Sequence, residues 1–306
     1  MNVAIRTEGI TKRYNGRAVV DRLSFQVPTG SIYGFLGPNG AGKTTTFAIL
    51  CGFLRPNEGS AEVLGRPLTD IPRGRMAALP QDARFHPERT LEDSLRFMAE
   101  LQGLSRDKAR SETDRVLAAV ELSDSKKVRG KALSHGMGKR FGIAQAFLGT
   151  PELVLLDEPT EGLDPRNAHT VRQMIRAMAA GHSTVLVSSH NLAEVEDLCD
   201  HAAIIDHGRL VTQASIAELT GQDRQVLISL ASPCDAAAAA VRALEAVVSA
   251  TLSTDGLTLT IAFKAVPGKS IDQAISETLA ALLKAGATVG NITRGHSLEE
   301  RFLQLT

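Results

Sequence analysis

The stretch GPNGAGKTT sets Gly37, Gly42, Lys43 and Thr44 at the spacing G-x-x-x-x-G-K-[ST]. Residue types in this order hold phosphate. Gly37, Gly40 and Gly42 let main-chain N–H groups curl around an anion, with Pro38, Asn39 and Ala41 completing the loop. The helix that begins at Lys43, Thr44 and Thr45 adds the positive end of its dipole. Lys43 suits the β- and γ-phosphates, and the Thr44 hydroxyl suits Mg²⁺. The loop follows the apolar run Ile32–Leu36, which supplies the strand-then-helix setting the motif requires.

Further chemistry sits where two other apolar runs end. ELVLLDEP places four apolar residues before Asp157 and Glu158. A buried strand ending in a carboxylate beside a phosphate loop makes Asp157 the expected Mg²⁺-side partner of Thr44. Glu158, one residue on, suits a general base towards an attacking water. TVLVSSH ends at His190, which reads either as a satisfied polar group or as a side chain that polarises the γ-phosphate or orients the water. Gln81, in LPQD, reads by itself as loop. LSHGMGKRFGIAQAFL, from Leu133, begins as a loop with Ser134, His135 and Gly136 and then turns apolar at helical spacing.

The elements that position these residues follow from the patterning. Residues 2–36 read as short strands with turns at YNGRA and PTG, and a helix is expected from Lys43 to about Leu54. The segment from Thr90 to Leu122 carries helical spacing, with Thr90 and Asp93 as a capping signal and a second helix from Ser105. LVLLD and TVLVSSH, each followed by a helical pattern, imply a parallel βαβ core. Beyond TGQDRQ, Thr220–Gln225, the order changes to strand, helix, strand, strand, helix, strand and a last helix from Ser297. That order is the split βαβ pattern. The expected fold is α/β: a P-loop NTPase core with an antiparallel β portion and a helical subdomain at about 86–145. A small α+β, ferredoxin-like C-terminal domain follows. The expected domains are 1–220 and 221–306.

Composition narrows the function classes. The 306 residues carry 34 basic and 34 acidic side chains, and this balance argues against a nucleic-acid partner, which usually leaves a basic excess. No apolar run approaches the ~18 uncharged residues that span a bilayer, and the N-terminus shows no signal-peptide pattern. Cys51, Cys199 and Cys234 lack CxxC spacing and suit reduced thiols in a cytosolic protein.

In this order the motifs resemble the nucleotide-binding subunit of ABC transporters over roughly residues 1–220. The matching parts are an aromatic at Tyr14, Walker A at Gly37–Thr45, the Q-loop at Gln81 and the signature loop at Leu133–Met137. Walker B at Leu153–Glu158, the D-loop at Gly162–Asp164 and a switch histidine at His190 complete the set. The resemblance implies a head-to-tail homodimer that sandwiches two ATP with Mg²⁺. Tyr14 then stacks on adenine, and Asp157, Thr44 and Gln81 attend Mg²⁺. Glu158 is the base, His190 touches the γ-phosphate and Asp164 crosses the dimer interface. Ser134 and Gly136 approach the γ-phosphate held by the other subunit. It further implies a multi-span membrane permease as partner and a peripheral place on the inner face of the cell membrane. The ending TRGHSLEERFLQLT is similar to the close of the ATPases that serve drug, polysaccharide or lipid export. Two other readings stand beside it: a soluble ABC-type ATPase acting on nucleic acid or ribosomes, and a weakly hydrolysing regulatory module. The family loop is commonly L-S-G-G-Q, so His135 and Met137 depart from it. His135 reads either as a side chain turned to solvent or as an imidazole that adds positive charge near phosphate.

Overall fold

The computed structural model describes residues 2–71, 74–180, 183–221, 225–264, 266–295 and 297–305. They divide into two compact units, Met1–Ala214 and Ser215–Thr306. The turn stretch Thr220–Gln225 contains residues 222–224, which lie outside the described residues.

The first unit opens with β1 (Val3–Tyr14), β2 (Arg17–Leu23), β3 (Gln26–Pro28) and β4 (Ile32–Leu36). Then come α1 (Lys43–Leu50), β5 (Glu58–Val63), β6 (Arg66–Pro67) and β7 (Met76–Leu79). Three helices follow, α2 (Leu91–Leu101), α3 (Arg106–Ala119) and α4 (His135–Ala146). The rest alternates: β8 (Leu153–Asp157), α5 (Pro165–Ala179), β9 (Thr184–Ser189), α6 (Leu192–Leu198), β10 (His201–Asp206) and β11 (Arg209–Ser215).

One sheet has the order β11-β10-β4-β9-β8-β7, with β10, β4, β9, β8 and β7 pairing in parallel. Every residue of β4, β8 and β9 is buried, as expected for strands covered on both faces. These strands carry no polar alternation, so their sequences read as continuous apolar runs that end in chemistry. The other sheet is antiparallel, β2-β1-β5-β6 with β3 beside β1. Its β1 is one strand of 12 residues, longer than the short strands the sequence implies, because bulges let it bend while pairing three partners. Phe25, Phe35 and Phe47 fill the core between the sheets and α1, with Phe25 and Phe35 ring centroids 5.0 Å apart.

Two helices differ from the expectation. α1 stops at Leu50 rather than near Leu54, because Gly52 takes φ +74° and reverses the chain. α4 starts at His135, so most of the glycine-rich stretch is helix and not loop. Ser134 caps it, its hydroxyl accepting from the Met137 N–H at 3.2 Å. The capping signal at Thr90 is present as a bond from the Asp93 N–H at 3.1 Å.

The second unit holds α7 (Ile216–Thr220), β12 (Gln225–Leu230), α8 (Asp235–Arg242), β13 (Val247–Leu252) and β14 (Thr258–Phe263). It continues with α9 (Ile271–Lys284), β15 (Val289–Arg294) and α10 (Leu298–Leu305). Its sheet is antiparallel, ordered β13-β14-β12-β15. Val226, Ile228, Leu259, Ile261 and Phe263 alternate along their strands and bury one face against Ala237, Val241, Ile275 and Leu282 of α8 and α9.

Candidate functional site

The base of the phosphate loop is locked by its surroundings, while its crest is open. Gly37 and Gly42 are buried, whereas Pro38, Asn39 and Gly40 are exposed. A Cβ on Gly37 would meet the Ile205 carbonyl oxygen at 2.5 Å. Gly42, at φ +100°, caps α1, and a Cβ there would meet the Val19 carbonyl oxygen at 2.7 Å. Strand β2, the second arm of the hairpin that carries Tyr14, therefore packs on the loop. Tyr14 itself is 45% exposed at the end of β1, with Lys12 Nζ 5.7 Å from its ring centroid. Thr45 lies in the first turn of α1, and Ala41 is buried with its carbonyl accepting from Gly208 N–H at 3.0 Å.

Lys43 is only 6% exposed. Its ammonium donates to the Gly37 carbonyl at 2.7 Å and lies 3.3 Å from Glu158 Oε1. Glu158 receives a second neighbour, His190 Nδ1, at 3.1 Å from Oε2; since a carboxylate only accepts, the ring nitrogen donates. Strand ends thus bring Lys43, Glu158 and His190 together from β4–α1, β8 and β9. Glu158 takes φ +48°, a conformation uncommon for a residue with a side chain. Both of its main-chain groups are held: its N–H donates to Ser188 Oγ at 2.9 Å, and Lys139 Nζ donates to its carbonyl at 3.2 Å.

Asp157, 3% exposed, accepts from the hydroxyls of Ser188 and Thr44. Burial pushes its carboxyl above the usual range against the lowering effect of those hydroxyls, with the nearby Glu158 charge adding to the rise. Among the described residues no group of three His, Cys, Asp or Glu is placed to hold a metal ion. The Thr44 and Asp157 oxygens instead form a hard pair. Such a pair suits Mg²⁺, which takes one or two protein oxygens and completes its shell with phosphate and water.

A second group lies in one cleft of about 640 Å³, lined by Gln81, Ser134, His135, Lys139, Asp157 and Glu161 among others. Gln81 Nε2 donates to Glu161 Oε2 at 2.6 Å. His135 is exposed, and its Nε2 donates to the Glu161 carbonyl at 3.3 Å with the ring beside Gly162. A Cβ on Gly136 would meet nothing closer than Leu163 Cδ2, at 4.0 Å. Asp164 caps α5, accepting from the N–H groups of Arg166 and Asn167, each at 3.1 Å, and these bonds hold its carboxyl below the usual range.

Sequence reasoning did not anticipate Glu161, Lys139 and Ser188. Ser188 carried a signal in its place two residues before His190 at a strand end. Lys139 lies one helical turn beyond His135, on the helix that the glycines disguised. Glu161 carried none, because its partners are 80 and 26 residues away.

A family model described as ABC transporter matches residues 20–161. The chain is 36% identical to the daunorubicin/doxorubicin resistance ATP-binding protein DrrA of Streptomyces peucetius, over 99% of this chain and 92% of that protein. It is 39% identical to the bacitracin transport ATP-binding protein BcrA of Bacillus licheniformis, over 74% of each. A solved ATP-binding subunit of an ABC transporter superposes with a TM-score of 0.65 at 29% identity, covering 72% of this chain and 92% of that one.

Proposed function

The chain belongs to the ATP-binding subunits of ABC transporters, and we propose that it hydrolyses ATP to drive export through a separately encoded multi-span permease. The observation that carries the reading is the buried convergence of Lys43, Asp157 and Glu158 on the phosphate loop. Main-chain N–H groups of Gly37–Thr45 and the Lys43 ammonium hold the β- and γ-phosphates, and Tyr14 stacks on the adenine. Thr44 and Asp157 would hold Mg²⁺, with the Gln81 amide oxygen as a further ligand, and the chemistry supplied there would be neutralisation of phosphate charge.

Glu158 orients the attacking water and accepts its proton as the water oxygen joins the γ-phosphorus and the bond to the leaving ADP oxygen breaks. His190, bonded to Glu158, fixes that carboxylate and reaches the γ-phosphate. Preorganised positive groups on the loop supply most of the rate. In a head-to-tail homodimer, Ser134 and Gly136 on α4 complete the site of the other subunit, and Asp164 crosses the interface.

No helix among the described residues is long and apolar enough to cross a membrane, so transport requires a partner. Phe97, Met98 and Leu101 on α2 leave apolar surface exposed that suits a permease helix. The subunit then works as a peripheral protein on the inner face of the cell membrane, without a nucleic-acid partner. Export follows from the relatives, one named for drug resistance and matched over nearly its whole length. The domains we assign are an ABC-type ATP-binding domain at 1–220, with its helical subdomain at about 86–145, and an α+β accessory domain at 221–306. The strand order of the latter's sheet supports a ferredoxin-like module, and we read it as a dimerisation or regulatory module, with a passive stabilising extension as the alternative.

The test is Glu158→Gln. ATP binding should persist in a dimer that gel filtration detects, while turnover falls by at least about a hundredfold. Hydrolysis near the parental rate would remove Glu158 as the base.

A further inference from the structure

A carboxylate can only accept hydrogen bonds, so an amide placed against it has its sense fixed. Gln81 meets Glu161 in this way, with Nε2 committed to the carboxylate at 2.6 Å. The amide oxygen is the end left free of that partner. Glu161 is gripped from its other side, where His135 Nε2 donates to its carbonyl oxygen at 3.3 Å. The imidazole is close enough to Gly162 that a Cβ there would come within 2.9 Å of Nε2. Three distant stretches of chain therefore meet at one residue. They do so on the wall of the cleft that also takes in Asp157.

We propose that Glu161 is a positioning residue for the ATPase site. It holds the nitrogen of the Gln81 amide and so presents the amide oxygen, while His135 keeps Glu161 within reach. The role rests on the ATP- and Mg²⁺-binding reading above. Mg²⁺ and an attacking water both need an oxygen at that place, and a flipped amide offers N–H groups instead. Groups that orient a metal's ligands typically matter 10- to 100-fold in affinity. Glu161 is exposed, so water competes for the bond, and a smaller effect of about three- to tenfold is expected.

The decisive variant is Glu161→Gln, which keeps the shape but can donate as well as accept and so no longer dictates the sense of its neighbour. AMP-PNP is titrated against the full chain with Mg²⁺ and again with EDTA. Glu161→Gln and Glu161→Ala should each weaken binding about three- to tenfold with Mg²⁺ and by less than about twofold without it. In a Gln81→Ala background neither should have a further effect. Without nucleotide or metal, the ¹⁵N side-chain amide resonance of Gln81 should move in Glu161→Gln. Wild-type affinity in Glu161→Gln, equal losses in both conditions, losses that persist without Gln81, or an unmoved resonance would each overturn the role. A wild-type chain that binds AMP-PNP in neither condition overturns the nucleotide reading and this role with it. If Glu161→Ala fails to fold, the isosteric Glu161→Gln carries the test alone.

Discussion

A methyl group added at Gly37 would meet the Ile205 carbonyl at 2.5 Å, whereas one added at Gly136 finds nothing nearer than Leu163 Cδ2 at 4.0 Å. The same contrast runs through the two sides of the candidate site. On the phosphate-loop side, Lys43, Asp157 and Glu158 are buried and each is fixed by packing plus several hydrogen bonds. On the α4 side, Ser134 and His135 are exposed and are held by a helix cap and one bond to a neighbouring turn. Their acidic groups also shift in opposite directions: burial raises the Asp157 carboxyl, and helix N–H groups lower that of Asp164. The lesson concerns where the constraint comes from. Residues that meet a ligand within one chain are set by that chain's core. Ser134 and His135, which the proposed dimer would present to a second subunit, depend instead on local structure.

The contrast breaks most sharply at the glycines. Gly37→Ala should destabilise the first unit by about 2–3 kcal/mol, because a backbone carbonyl cannot yield as a flexible side chain does. Urea unfolding checks this, and a loss below about 0.5 kcal/mol would show that the loop base is not locked.

Asp157→Asn sharpens the contrast in the opposite direction. The folded state raises the Asp157 pKa above its ordinary value of 3.8. It therefore binds the proton more tightly than the unfolded chain does. That contribution to stability is fully present below the ordinary value and is lost as pH rises through the folded pKa. At neutral pH the charged group is a cost, so the neutral isostere should gain stability while losing Mg²⁺-dependent nucleotide binding. The gain should shrink as pH falls towards 4, and a gain independent of pH would separate it from ionisation.

The smallest stability effect is expected at Gly136→Ala. Room for the methyl and a helical setting leave unfolding free energy within about 0.5 kcal/mol of wild type. Steady-state ATPase should nonetheless fall if the proposed dimer forms, because the added methyl would then stand where the other subunit's phosphate approaches. Full activity would mean that α4 does not present Gly136 to a ligand.

The phosphate loop and the two strand ends were legible in the sequence because each is a contiguous run whose residue types and spacing carry the signal, although the residues it meets in space lie far along the chain. Apolar runs without alternation gave β4, β8 and β9 directly, since both faces of those strands are covered. The alternating strands of the second unit were readable for the opposite reason, with one face packed and one open. Glycines misled only at the start of α4: the helical spacing at Phe141, Ile143 and Ala144 was legible, but His135 to Gly138 read as loop, whereas the Ser134 cap places the helix start at His135. The meeting of Gln81, His135 and Glu161 had no local signature at all. Each is an ordinary surface residue until the sheet and α4 bring three segments to one cleft.

The contact between Lys43 and Glu158 has a consequence for what the loop will accept. The ammonium already has an anionic neighbour supplied by the chain, so an arriving phosphate competes with a built-in counter-ion. Binding there resembles ion exchange more than capture by a bare cation. A weak, singly charged anion gains little by the exchange, whereas a multiply charged polyphosphate that also engages the loop's N–H groups gains enough to win. The same exchange would release the Glu158 carboxylate from Lys43 while His190 still holds its other oxygen.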